Sequence, residues 1–276
     1  MDIGTALFVT DQSMTAAEAA QETERRGLES FWVPEHTHIP TSRRTAWPGG
    51  AELPERYRRT HDPFVSLTAA ACASSTIKLG FGVCLLIQRD PIITAKAVAS
   101  LDVVSGGRLI FGVGGGWNLE EMEDHGTDPK TRFKLLRERV ESMKAIWTQD
   151  EAEYHGELVD FAPLWSWPKP LQKPHPPILV GGNVERTLER VIRYGDGWIP
   201  NAGRSDLETQ IPLFRRLCEE SGRGRLPVTV FGPRLDPAEI ESLTRLEVER
   251  AVFWLPSDSR DAALRRLEDV SRLLAA

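Results

Sequence analysis

The strongest constraint on this 276-residue chain is a regular alternation of short apolar runs with amphipathic helical stretches, kept up from one end to the other. Eight such runs stand out: Ile3 to Val9, Ser30 to Pro34, Ile77 to Ile87, Leu109 to Val113, Pro177 to Val180, Gly197 to Pro200, Val228 to Phe231 and Ala251 to Leu255. Their continuous apolar character, as in the ILV and AVFWL stretches, suits parallel strands covered on both faces. Between them, Thr15 to Arg26 reads as a helix ended by Gly27, a residue suited to the left-handed position after a helix. The final stretch, Asp261 to Leu274, spaces Leu264, Leu267, Val270, Leu273 and Leu274 by three and four, so that one face packs on a wall. An open doubly wound sheet would show the same local pattern. The count of eight, with a length near the roughly 250 residues usual for such barrels, predicts an α/β fold: one (β/α)8 TIM barrel domain over residues 1–276.

Two insertions break the alternation, His36 to His61 after strand two and Gln149 to Pro176 after strand four. Barrel chemistry sits on loops at the carboxyl ends of strands, so the first insertion is placed to cover a substrate. The second reads as a hairpin around Tyr154 to Gly156, followed by a proline-rich crossing. Hydrophobic residues at 41% and charged residues at 27% supply a sizeable core and exclude general disorder. The net charge of -6 argues against a nucleic-acid partner, because such binding depends on a basic surface. Asp2 stands where a secretory signal carries positive charge, and the weakly polar stretch Phe64 to Ser75 is shorter than the about 20 apolar residues a bilayer requires. The expectation is a cytoplasmic protein with no membrane contact. Cys72, Cys84 and Cys218 are odd in number and outside any CxxC pair, which suits buried thiols without a catalytic role.

The glycine-rich run Phe111 to Trp117 follows strand four, where bare backbone lets a flat ring or a phosphate approach. A Rossmann fingerprint fits it poorly, since Trp117 takes a position that needs a small residue. A glycine turn without a ligand is the plain alternative. After strand five, Gly181, Gly182 and Asn183 precede a helix from Val184 to Arg193, with Asn183 as N-cap and free amides forming an anion site. A capped helix with a glycine turn explains the same residues.

Strand two ends in Glu35, His36, Thr37 and His38, and two functional readings stay open there. As an HxH metal pair the histidines need further ligands, yet strand five ends in GGN and strand six in PNAG. As a proton donor or hydrogen-bond partner beside a flavin-type ring, His36 has a suitable ordinary pKa of about 6.5. A satisfied loop histidine is the plain reading. Glu120, Glu121, Glu123 and Asp124 read as helix-start carboxylates. Arg43, Arg44, Arg56, Arg58 and Arg59 read as solvated. Trp32, Trp147 and Trp254 read as packing residues, while Trp117 and Trp198 follow strand ends and line the mouth.

Taken together, Asp62-Pro63-Phe64-Val65, Leu79 to Val83 with Arg89-Asp90-Pro91, Ser105 to Arg108, Gly112 to Trp117 with Glu120-Glu121, Gln172 to Pro177, Gly181-Gly182 and Arg193 to Trp198 resemble the luciferase-like monooxygenase superfamily, in its coenzyme F420-dependent branch. The matching segments run through most of the chain. The resemblance implies a cofactor ring at the carboxyl ends of the strands, backed by a bulge with a non-prolyl cis peptide at Gly82–Val83. It implies Glu35 and His36 as the catalytic pair. Gly82, Val83, Gly114, Gly115, Gly116 and Trp117 would contact the cofactor, and Gly181, Gly182 and Asn183 its phosphate. The implied cofactor is the deazaflavin F420, with FMN and a monooxygenase reaction as the alternative; no metal is implied. A homodimer through the helices near strands two and three is expected.

Two departures bear on the substrate. In the sugar-phosphate-oxidising branch a glutamate follows the glycine run where Trp117 stands, and an active-site tryptophan stands where Pro40 does. Both argue for an apolar or aromatic small molecule instead. The missing glutamate also leaves open a cofactor carrier without turnover.

Overall fold

The apolar runs pair in chain order because each is too short and too apolar to be stable except between two neighbours and under a helix. The computed structural model describes residues 1–50 and 52–274. Its strands are β1 (Asp2–Ala6), β2 (Ser30–Val33), β3 (Lys78–Phe81), β4 (Leu109–Val113), β5 (Ala152–His155), β6 (Asp160–Leu164), β7 (Ile178–Gly181), β8 (Gly197–Ile199), β9 (Thr229–Phe231) and β10 (Arg250–Trp254). Its helices are α1 (Ala16–Arg25), α2 (Pro63–Ala73), α3 (Pro91–Val104), α4 (Leu119–Asp124), α5 (Arg132–Thr148), α6 (Glu185–Tyr194), α7 (Leu207–Glu220), α8 (Pro237–Arg245) and α9 (Arg260–Ser271).

Eight strands form one parallel sheet in the order β8-β7-β4-β3-β2-β1-β10-β9. Single bridges from Trp198 to Val228 and from Asn201 to Phe231 join its two edges, so the sheet closes into the expected (β/α)8 barrel. The second insertion holds the antiparallel hairpin β5–β6. Asp62-Pro63, Asp90-Pro91 and Asp236-Pro237 each start a helix: the aspartate side chain caps the first amides, and the proline gives up only an N–H that has no partner there.

The barrel is filled by Ala6, Trp32, Ile110, Leu179, Ile199, Phe231 and Val252, with Val83 and Trp254 lying on top of them. Trp32 occupies the axis, where a Cβ at Gly80 would come within 2.0 Å of its ring. Outside the strands a second, larger apolar cluster packs the helices onto the wall.

The third strand is shorter than the Ile77–Ile87 run suggests, for it ends at Phe81. The Gly82–Val83 bond is cis, and the chain bulges there before Cys84 rejoins β4. The Cys84 amide then donates to Gly112 O at 2.8 Å, and the Gly114 amide donates to Cys84 O at 3.0 Å. Cys84 and Cys218 are buried as expected, but Cys72 is exposed because it lies on the outer side of α2. Among the described residues no helix is long and apolar enough to cross a membrane.

At the amino-terminal end of the barrel Arg250 donates twice to Glu29, at 2.7 Å each, tying β10 to the residue before β2. Burial pushes the Glu29 carboxyl up, but Arg250 outweighs it and leaves the group at about 2, below the ordinary 4.5. A carboxylate depressed on folding stabilises above its unfolded pKa and loses that contribution as pH falls toward the folded one. The stability gap between the parent protein and Glu29→Gln is therefore expected to close as pH falls from about 4.5 to about 2. Urea midpoints across that range measure it; a gap independent of pH would contradict the pairing.

Candidate active site at the carboxyl end of the barrel

Glu35 and His36 follow β2, and adjacent residues leaving a strand send their side chains to different surroundings. Glu35 is 3% exposed. It accepts from the Leu85 amide at 2.6 Å and from Arg89 Nε at 2.6 Å. Arg89 also reaches Asp62 at 2.8 Å and lies over the Phe64 ring. Burial lowers the Arg89 guanidinium, but the Glu35 charge beside it holds it above its ordinary value. Glu35 thus clamps the segment that follows the bulge. Burial, reinforced by Glu35, raises the Cys84 thiol well above its usual range, so the thiol stays protonated and unreactive.

His36 is 7% exposed at the mouth. Its Nδ1 stands 2.7 Å from Glu121 Oε2, and Trp117 Nε1 donates to its Nε2 at 3.2 Å. An indole N–H can only donate, so Nε2 must be the acceptor and Nδ1 carries the proton given to Glu121. The result is a neutral imidazole with its Nε2 lone pair turned toward the mouth side of Trp117, whose ring meets it edge-on at 5.6 Å.

Glu121 is the residue that sequence reasoning missed. Read as a helix-start carboxylate, it is instead 1% exposed and accepts from His36 and from the Thr37 amide at 3.0 Å. Its neighbour Glu120 is buried too, accepting from the Thr45 amide and hydroxyl and from Ser42. Burial raises the Glu120 carboxyl, but those donors outweigh it and leave it at about 2. Asp124 pairs with His38 at 2.9 Å and Glu123 with Arg44 at 2.7 Å. The four acids of α4 are therefore anchors for the first insertion. The available signal was a count: more carboxylates than one short helix start can use, facing a loop of donors across the mouth.

The HxH reading ends here, since His36 and His38 turn to separate carboxylates. No group of three His, Cys, Asp or Glu side chains able to hold a metal ion occurs among the described residues. Arg58 and Arg59, read as solvated, pair with Glu55.

Aromatic side chains build the rim. Tyr57 lies 5.3 Å from His36, 5.6 Å from Trp47 and 4.7 Å from Phe8 between ring centroids, and Phe8 stacks on Trp254 at 5.1 Å. Trp254, expected in packing, is a rim residue because β10 ends there. Trp198, expected at the mouth, is fully buried; its Nε1 donates to Gly182 O and its ring packs on Phe214.

The glycines make room for protein. A Cβ at Gly114 or Gly181 would stand 2.6 or 2.8 Å from Val83, and one at Gly115 would stand 2.7 Å from Phe133. Gly116 has φ +63 and Gly182 φ +157, conformations that a side chain disfavours. With Val83 held by its side chain between Gly114 and Gly181, the Val83 N–H and the carbonyls of Gly82 and Val83 make no backbone hydrogen bond among the described residues. Asn183 is not the N-cap of α6; that position is Val184, without a side-chain cap. Asn183 Oδ1 accepts from the Asn201 amide at 2.9 Å and from Ser205, fixing the turn to the end of β8. Among the described residues the amides of Asn183, Val184, Glu185 and Arg186 find no acceptor. Arg132 and Arg190, the second on α6 itself, both lie over the Phe133 ring. Burial lowers the Arg190 guanidinium. A separate groove of about 1140 Å³ between α8 and α9, at the start of β1, shares none of these groups.

The family model described as luciferase-like monooxygenase matches residues 8–235. An uncharacterized protein of Mycobacterium tuberculosis is 42% identical over 280 residues, covering 100% of this chain and 99% of its own. An F420-dependent glucose-6-phosphate dehydrogenase of Kineococcus radiotolerans is 30% identical over 253 residues, covering 87% of this chain and 68% of its own. Among solved structures, monooxygenase RslO1 from Streptomyces bottropensis superposes with a TM-score of 0.82 at 18% identity, covering 100% of this chain and 99% of its own. The coenzyme F420 dependent tetrahydromethanopterin reductase from Methanopyrus kandleri does so at 0.74 and 18%, covering 99% and 98%. On the family match and the identities, together with the barrel and its bulge, the chain belongs to the luciferase-like monooxygenase family of oxidoreductases.

Proposed function

We propose that the protein exchanges a hydride between coenzyme F420 and an apolar or aromatic organic molecule, with His36 moving the accompanying proton. The observation that carries this reading is the neutral His36, its Nε2 lone pair at the mouth and its tautomer fixed by Glu121. The 30% identical relative named as F420-dependent favours the deazaflavin over FMN.

The residues fit such a cofactor. The unpaired peptide groups of Gly82 and Val83 suit the edge of a ring, and the free amides after Gly182 suit its phosphate. The deazaflavin, when bound, supplies the hydride chemistry. The protein supplies the rest: Glu35 and Arg89 hold the bulge, Trp117 and Tyr57 wall off water, and His36 Nε2 takes or returns a proton at a substrate oxygen that replaces the Trp117 donor. Titrations with F420 and with FMN separate the two cofactors. F420 is expected to bind at least about tenfold more tightly, a difference of about 1.4 kcal/mol; tighter FMN binding would reject the reading.

A homodimer belongs to the same proposal. Helices α2 and α3 are apolar around most of their circumference, leaving Val65, Ile93 and Val104 at 68%, 72% and 51% exposure. A second copy of the same face would cover them. Light scattering is expected to give twice the chain mass and, for Val65→Lys with Ile93→Lys, the mass of one chain. A parent protein of single-chain mass would contradict it.

A further inference from the structure

Beside the mouth, the ends of β1, β8 and β10 and the first insertion enclose a cleft of about 450 Å³. Phe8, Trp47, Tyr57 and Trp254 form its walls. Its polar groups are mostly donors. The Arg56 guanidinium lies 5.3 Å from the Phe8 centroid and 5.8 Å from that of Tyr57. Arg58 and Arg59 are taken up by Glu55, whereas Arg56 and Arg204 make no ion pair among the described residues. The buried indole N–H of Trp47 and the hydroxyl of Ser257 have no hydrogen-bond partner among the described residues, and Ser257 is only 5% exposed. Among the described lining residues Asp258 is the one carboxylate, against two guanidiniums.

Buried polar groups in folded proteins are almost always paired, so orphaned groups on residues that line a cleft mark where ligand atoms belong. Donors in excess call for an acceptor-rich anion, a planar guanidinium favours a carboxylate, and aromatic walls favour a flat ring. We propose that this cleft binds an aromatic carboxylate, its ring between the aromatic walls and its carboxylate on Arg56, Arg204 and Ser257. The proposal rests on the reading above in one respect, that the ligand is the substrate: Tyr57 borders both the cleft and His36, so a ring held here extends toward the proton-transfer site.

Isothermal titration of the full chain, with no cofactor added, against 2-naphthoate, 2-naphthamide and cyclohexanecarboxylate tests it. Naphthoate is expected to bind about tenfold more tightly than either of the others, and Arg56→Gln and Arg204→Gln each to weaken it about fivefold or more, as loss of a charge-assisted contact implies. Arg58→Gln, which removes a charge of the same insertion outside the cleft, should leave binding unchanged. Equal affinity for acid and amide, or normal binding in both arginine variants, would overturn the proposal. So would competition between naphthoate and F420, which would make the cleft part of the cofactor site. A null result here leaves the F420 reading standing, whereas naphthoate binding without any F420 binding removes the F420 reading alone.

Discussion

Replacing Glu121 by glutamine is expected to lower turnover about a hundredfold while leaving F420 affinity within about twofold, since positioned acid–base groups typically contribute 10² to 10⁴. The carboxylate accepts from His36 Nδ1 through one oxygen and from the Thr37 amide through the other. A carboxamide has a single acceptor oxygen and an NH2, so it cannot serve both donors. If its oxygen stays on His36, its NH2 faces the Thr37 N–H. If it flips, His36 must carry its proton on Nε2, which then opposes the Trp117 N–H and removes the lone pair from the mouth. Either arrangement leaves a buried donor unpaired, at a cost of about 1–3 kcal/mol. Nitrogen-15 spectra of the imidazole should show the Nδ1–H tautomer in the parent and its loss in the variant, and Glu121→Asp should restore part of the rate. An unchanged kcat with the parent tautomer would remove Glu121 from the mechanism.

The largest loss of stability is expected from Arg89→Met. The Glu35 side chain is 1% exposed and would lose its one charged donor, keeping the Leu85 amide. Breaking a buried pair by removing one partner costs about 3–5 kcal/mol, because it strands the remaining charge. The double variant Arg89→Met with Glu35→Met removes both charges and should recover most of that loss, since apolar replacement of a whole buried pair is often neutral. Guanidinium unfolding midpoints measure both. A single variant as stable as the parent, or a double variant no better than the single, would contradict the clamp.

Elements whose residues answer to one local rule were legible in the sequence. The apolar runs became the barrel strands, Thr15 to Arg26 became the first helix with Thr15 as its cap, and Tyr154 to Gly156 fell in the second insertion's hairpin. Residues whose roles depend on a distant partner were not. The early end of β3 is set by a bulge whose flanks are held by Glu35 and Arg89, some fifty positions apart in the chain. Glu121 looked like any acid at a helix start until the fold brought His36 and Thr37 onto it. Asn183 has the chemistry of an N-cap, yet the end of β8 supplied better donors. Trp198 and Trp254 exchanged their expected places because a helix covers the first, while the second closes its strand at the rim.

A crystal structure of the protein with oxidised F420 tests the central claim most directly. The ring is expected against the Gly82–Val83 peptide with His36 and Trp117 at its open side, and the phosphate on the amides that follow Gly182. A ring bound elsewhere, or a phosphate held away from α6, would contradict it.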